Sequence, residues 1–211
     1  MKTIVLASQK GGVGKTTLAG HLAVAAERAG HGPVVVIDTD PQGSLTAWWN
    51  AREAEAPAFA ALSKDLAGQL AALAQTGAGL VILDTPPSAN ANIRGTIAAA
   101  DLVLIPVRPS PHDLRAVGHT VEIVEQAGKP FLFVVSQAKA ASALTSQAIA
   151  VLSAHGEVAA ALIADRVAFA SSMTDGRTVQ ELAPRSPAAS EIAQLWQAVA
   201  GLMKSPKRRR A

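Results

Sequence analysis

The sequence predicts an α/β protein built on a mostly parallel, twisted sheet with helices on both faces, and three observations carry that expectation. Short β-branched runs alternate with Ala/Leu-rich stretches of helical period. The strand-like runs are apolar from end to end rather than alternating with polar residues, as strands covered on both faces are. Glycine and proline mark several of the junctions. The first strand is expected over 3–8, where Thr3-Ile4-Val5-Leu6 runs into a glycine-rich loop, and a helix over 15–29 that Gly30 can end in a left-handed conformation. Val34-Val35-Val36-Ile37 predicts a strand over 34–38. The stretch around 53–57 reads as a surface excursion before a helix over 64–75 and the apolar strand 80–84. A helix over 93–99 and a strand over 102–107 follow. Ser110 as cap and Pro111 in the first turn open a helix over 111–126, with Gly128 beyond its end. Strands over 131–136 and 160–163, with helices over 144–154 and 188–203, complete the alternation. No internal repeat and no long linker interrupts it, so a single domain is expected over 1–204, with a basic tail over 205–211.

Composition narrows the chemistry. Of the 211 residues, 49% are hydrophobic and 17% charged, enough for a core and unlike a disordered chain. The absence of cysteine excludes disulfides, thiolate nucleophiles and Cys-ligated iron–sulfur or zinc sites. The five histidines His21, His31, His112, His119 and His155 show no metal spacing. The N-terminus passes straight into the glycine loop, which leaves no room for a signal peptide, and no apolar stretch approaches the roughly 18 residues of a membrane span. A cytoplasmic location is expected. Lys204, Lys207, Arg208, Arg209 and Arg210 carry more than the whole net charge of +3, so the high isoelectric point is a property of the C-terminus. Such a tail suits nucleic acid, an anionic membrane surface, or plain solvation.

The most specific signal is Lys10-Gly11-Gly12-Val13-Gly14-Lys15-Thr16-Thr17 between the first strand and the first helix. Glycines let backbone N–H groups turn around phosphate oxygens, the helix N-terminus adds partial positive charge, and Lys15 brings a point charge to the terminal phosphates. Thr16 stands where a Mg²⁺ ligand belongs. The match to the ordinary P-loop pattern is imperfect, because Gln9 occupies the first glycine position and a second lysine, Lys10, follows it.

That departure resembles the deviant Walker A motif of the ParA/MinD family of ATPases. Asp38-Thr39-Asp40-Pro41-Gln42-Gly43-Ser44 is similar to the family's second acidic motif, and Leu80-Val81-Ile82-Leu83-Asp84-Thr85-Pro86-Pro87 to its Walker B strand. Ile105-Pro106-Val107 with Asp113, and the late Arg166 and Asp175-Gly176-Arg177-Thr178-Val179, are similar to partition ATPases. The resemblance implies a P-loop fold of the deviant Walker A type in a small ParA-type ATPase, without the N-terminal DNA-binding extension of larger members.

By the same resemblance, Gly11, Gly12, Val13, Gly14, Lys15, Thr16 and Thr17 would hold ATP. Thr16 would ligate Mg²⁺, with Asp38 and Asp84 in its outer shell through water, and Asp40 would position the attacking water. A second cation beside Lys15 is unfavourable unless phosphate lies between the two. The resemblance implies that Lys10 reaches the nucleotide of another subunit in an ATP-dependent homodimer; the alternative is a solvent-facing lysine. Pro106 and Gln137 stand where the family contacts adenine. Arg166, Arg177, Arg185, Lys204, Lys207, Arg208, Arg209 and Arg210 are candidates for contacting DNA phosphates, and a structural ion pair is the other reading of each. Trp48 and Trp49 fit either a partner contact or core packing. Pro206 and the lack of apolar residues after it argue against the membrane-inserting tail of MinD-like relatives. The expected function is therefore a nucleoid-associated ATPase, stimulated by a ParB-like or other adaptor, that segregates or positions a plasmid, a chromosome or a protein cluster. The alternatives are a MinD-like, membrane-cycling regulator and a P-loop enzyme that transfers phosphate or activates a carboxylate.

Overall fold

The computed structural model describes residues 1–87, 91–139 and 142–204. The strands are β1 (Lys2–Leu6), β2 (Val34–Asp38), β3 (Ala58–Phe59), β4 (Leu80–Asp84), β5 (Leu102–Val107) and β6 (Phe131–Val135). They form one parallel sheet in the order β3-β2-β4-β1-β5-β6. The helices are α1 (Lys15–Arg28), α2 (Ser44–Asn50), α3 (Leu66–Gln75), α4 (Ala91–Ala98), α5 (Pro111–Gln126), α6 (Ala143–Ser153), α7 (Val167–Ser172), α8 (Val179–Leu182) and α9 (Pro187–Lys204).

Alternate residues of each central strand enter opposite cores, which is why these strands are continuously apolar. Ile4, Leu6, Val34, Val36, Ile82 and Leu104 pack with Leu18 and Leu22 of α1 and with Ile192, Leu195 and Trp196 of α9. Val5, Val35, Ile37, Val81, Val103 and Ile105 face the other way, against Ile93 and Ile97 of α4 and Val117, Val121 and Val124 of α5. The Ser110 hydroxyl accepts from Asp113 N–H at 3.2 Å with Pro111 in the first turn of α5, as the sequence predicts, and Asp65 caps α3 by accepting from Gly68 N–H.

The expected strand over 160–163 does not form. The flanking residues Val158 and Ala164 make isolated bridges to Phe133 and Ala138 at and just beyond the β6 edge. The chain bends at Ala160 and Ala161, so Ala159 N–H reaches Phe133 O and Ile163 N–H reaches Val135 O without a continuous ladder between them. Four elements escape the sequence pattern altogether: α2, β3, α7 and α8. Each has seven residues or fewer, too short to show a period.

β1 lies between β4 and β5, so the chain departs from it toward one sheet edge and later returns on its other side. The loop after β1 therefore opens at a topological switch point, above the C-terminal ends of the strands.

Candidate nucleotide-binding site

Register alone brings the acidic motifs beside the glycine loop. Asp38 ends β2 opposite Asp84 at the end of β4, and Asp84 in turn pairs with Leu6 at the end of β1. Two carboxylates and the loop thus share one level of the sheet edge. Inside the loop Gly12 and Gly14 have φ of 71° and 90°, values that suit glycine, and Gly14 begins α1 by accepting from Leu18 N–H at 2.8 Å. Gly11 and Gly12 are exposed, Val13 is buried, and Gly14, Thr16 and Thr17 are half-buried.

Lys15 is buried, and its ammonium folds back to donate to Lys10 O at 3.2 Å. Burial lowers its pKa, while the charges of Asp84 and Asp40 work in the opposite direction. Thr16 Oγ1 donates to Asp84 Oδ2. Asp84 is 1% exposed, and burial, helped by the charges of Asp38 and Asp40, pushes its carboxyl up to about 7 against the Thr16 bond and Lys15. Its Oδ1 is buried without a hydrogen-bond partner among the described residues. A buried, unpartnered carboxylate oxygen beside a threonine hydroxyl fits a hydrated divalent cation. No cluster of three or more His, Cys, Asp or Glu among the described residues could hold a metal by itself. Such a cation would therefore share its shell with water and phosphate, as Mg²⁺ does.

Asp38 is heavily engaged. Its Oδ1 accepts from Asp40 N–H at 3.0 Å, and its Oδ2 accepts from both N–H and hydroxyl of Thr46, at 2.9 and 3.1 Å. It ties the loop after β2 to α2 as well as facing Asp84. Asp40 accepts from Gln42 N–H through Oδ1, and its other oxygen has no partner among the described residues. The half-buried Lys10 donates its backbone N–H to Ser8 Oγ, while its ammonium has no such partner.

Pro106 lines a small hollow with Lys10, Val13 and Asp113. Gln137 Nε2 donates to Gly12 O at 2.6 Å, so its amide nitrogen is committed to the loop. Arg108 and Ser136 lie in the same two stretches as Pro106 and Gln137, and both approach the loop. Arg108 forms a two-point ion pair with the buried Asp113, which raises the pKa of Arg108. A Cβ added to Gly12 would lie 3.6 Å from Arg108 Nη1. Ser136 Oγ donates to Val13 O.

Among the described residues, the candidate DNA residues are not gathered into one unpaired patch. Arg166 binds Glu191 through Nε and Nη2, and Arg177 binds Asp175 on the surface. Arg185 and Lys204 are exposed, and Lys207, Arg208, Arg209 and Arg210 lie outside the described residues. Trp48 is buried and Trp49 stacks on Phe59, both within the fold's packing.

Comparison with known proteins gives a consistent result. A family described as the CobQ/CobB/MinD/ParA nucleotide binding domain matches residues 4–179. The chain is 34% identical to the maintenance of carboxysome distribution protein A of Halothiobacillus neapolitanus, over 92% of this chain and 94% of that one. It is 31% identical to the chromosome-partitioning ATPase Soj of Thermus thermophilus, over 94% and 95%. The MinC:MinD cell division protein complex of Aquifex aeolicus superposes with a TM-score of 0.80 at 19% identity, covering 100% of this chain and 99% of that one, a likeness of fold.

Proposed function

The chain belongs to the CobQ/CobB/MinD/ParA nucleotide-binding family, and from that premise we propose that it is a Mg²⁺-dependent ATPase that pairs around ATP, binds DNA non-specifically and positions a cargo. The observation that carries the reading is the meeting of Lys15, Thr16 and Asp84 at one sheet edge, with Asp84 Oδ1 buried and unpartnered and the Lys10 ammonium free at the rim. Lys15 and the loop amides hold the phosphates. Thr16, Asp84 and Asp38 would hold the cation, Thr16 through its hydroxyl and the two carboxylates through water. Asp40 orients the attacking water with the oxygen that Gln42 leaves free. When bound, Mg²⁺ supplies neutralisation of the charge on the β and γ oxygens.

Lys10 reaches the nucleotide of a second copy, which makes pairing depend on ATP and release depend on hydrolysis. The printed names of the two relatives, one a carboxysome distribution protein and one a chromosome-partitioning ATPase, support a cargo-positioning role with an adaptor that stimulates turnover. The membrane-cycling alternative loses support from α9, whose Ile192, Leu195, Trp196 and Val199 are buried in the core and so offer no apolar face to a bilayer. No described helix is long and apolar enough to cross a membrane.

Binding to a random-sequence DNA duplex, measured with ATP, with ADP and without nucleotide across a salt series, tests the reading. Tight binding with ATP alone, weakening with a log–log slope of about −0.9 per phosphate neutralised, is expected. Equal binding in all three states, or none in any, would overturn the nucleotide-gated DNA cycle.

A further inference from the structure

Two side chains at the end of β6 grip the phosphate loop by its carbonyls. Ser136 Oγ donates to Val13 O at 2.8 Å, and Gln137 Nε2 donates to Gly12 O at 2.6 Å. The gripping residues are themselves fixed. Ser136 N–H binds Val107 O of β5 at 3.0 Å, and Ala138 N–H binds Ile163 O at 2.9 Å. Gln137, between them, has φ 51°, the one positive value outside glycine among the described residues. A left-handed backbone at such a residue is unfavourable and persists where surrounding contacts impose it.

A trans peptide holds its C=O and the following N–H in one plane, pointing in opposite directions across the C–N bond. Holding the Gly12 and Val13 carbonyls toward Gln137 and Ser136 therefore turns the N–H groups of Val13 and Gly14 away from the grip. Neither N–H donates to any acceptor among the described residues, although Val13 is 1% exposed. Buried backbone donors of this kind are satisfied by something, and here the polar partner must come from outside the chain. We propose that Ser136 and Gln137 are positioning residues for phosphate binding, which preset the Val13 and Gly14 amides as donors to the nucleotide's phosphate oxygens before it arrives. Presetting spares the ordering cost that a floppy glycine loop would incur on binding. This assigns Gln137 to the phosphates rather than to the adenine, and it rests on the reading that the loop binds a nucleotide.

The test is the affinity of the full chain for ADP, GDP and inorganic pyrophosphate, with thermal melting alongside, in wild type, Ser136→Ala, Ser136→Thr, Gln137→Ala and Gln137→Gly. Loss of one gripping hydrogen bond should weaken all three ligands in parallel, by about fivefold for Ser136→Ala or Gln137→Ala. Ser136→Thr, which keeps the hydroxyl, should bind as wild type does. Gln137→Gly, which relieves the backbone but lacks the amide, should bind as weakly as Gln137→Ala. Wild-type affinity in Ser136→Ala and Gln137→Ala would overturn the proposal, and so would full recovery in Gln137→Gly. A loss for ADP that spares GDP and pyrophosphate would overturn it too, by making Gln137 a base reader. Failure of the wild-type protein to bind any of the three ligands would instead sink the nucleotide reading itself, and the grip with it.

Discussion

His21 shows how a residue with no metal spacing acquires a strict structural role. It lies fully buried on α1, with Nδ1 2.8 Å from Thr17 O, and Nε2 3.3 Å from both Val179 N and Ser172 Oγ, edge-on to Phe169. The neutral ring satisfies this arrangement, with Nδ1–H donating to Thr17 and Nε2 accepting from Val179 N–H. A second ring proton would face that N–H donor. Burial lowers the pKa to about 4, with the Thr17 carbonyl and the charge of Glu181 opposing. The unfolded chain takes up this proton near 6.5 and the folded one only near 4, so the unfolded state holds more protons between those values. Stability contributed by neutral His21 is complete above pH 6.5 and is lost as pH falls toward 4. Between pH 7.5 and 5 the loss should be roughly 2 kcal/mol. Urea unfolding midpoints at the two pH values measure it. His21→Gln should remove most of this difference, and an equally steep loss in that variant would locate the effect elsewhere.

Among the elements, α2 links the acidic motif to the late Asp175–Thr178 segment. Asp38 holds the first turn of α2 through Thr46. At the other end, the buried Arg52 side chain donates to Gly176 O, Ala56 O and Glu181 and lies 4.9 Å over the Trp48 ring, while Trp48 Nε1 donates to Arg177 O. Glu181 closes the circuit by accepting from Thr178 N–H. Its pKa stays below the usual carboxylate value because the bonds to Arg52 and Thr178 outweigh its burial. Gly176 permits the docking. Its φ is 76°, and a Cβ there would sit 2.4 Å from Arg52 N and 2.6 Å from Ala51 C, both backbone atoms. Gly176→Ala must therefore push α2 and this segment apart, at a cost of about 2 to 3 kcal/mol. A lowered melting temperature with ADP affinity nearly intact is the expected result. An unchanged melting temperature would mean that the contact is not held in solution.

For the molecule as a whole, parallel strands place the glycine loop and both acidic motifs at one edge of the sheet. Asp40 has one oxygen bound to Gln42 N–H and one free, so its removal should spare the fold. Asp40→Ala is expected to bind ATP, to lose turnover by at least about 100-fold, and to sediment as a lasting dimer with ATP. A variant that stays monomeric would separate pairing from the trapped ATP state. The architecture was legible because continuously apolar strands and capped helices are local patterns; five of the six expected strands and all six expected helices form close to where they were placed. The glycine loop was legible because its residues sit in eight consecutive positions between the first strand and the first helix. What the sequence determined by itself was thus the layered α/β sheet and the place of the glycine loop between its first strand and first helix, since hydrophobic period and glycine spacing act over a few residues. Only the tertiary structure decided that Asp38 also fastens α2, that Gln137 grips Gly12, that Arg166 and Arg177 are paired, and that the 158–164 segment bends off the β6 edge. Apart from Arg177, which pairs with Asp175 two residues away, each of those joins groups in different elements or bends backbone against a neighbour, and no local pattern encodes which partner in another element a side chain will meet.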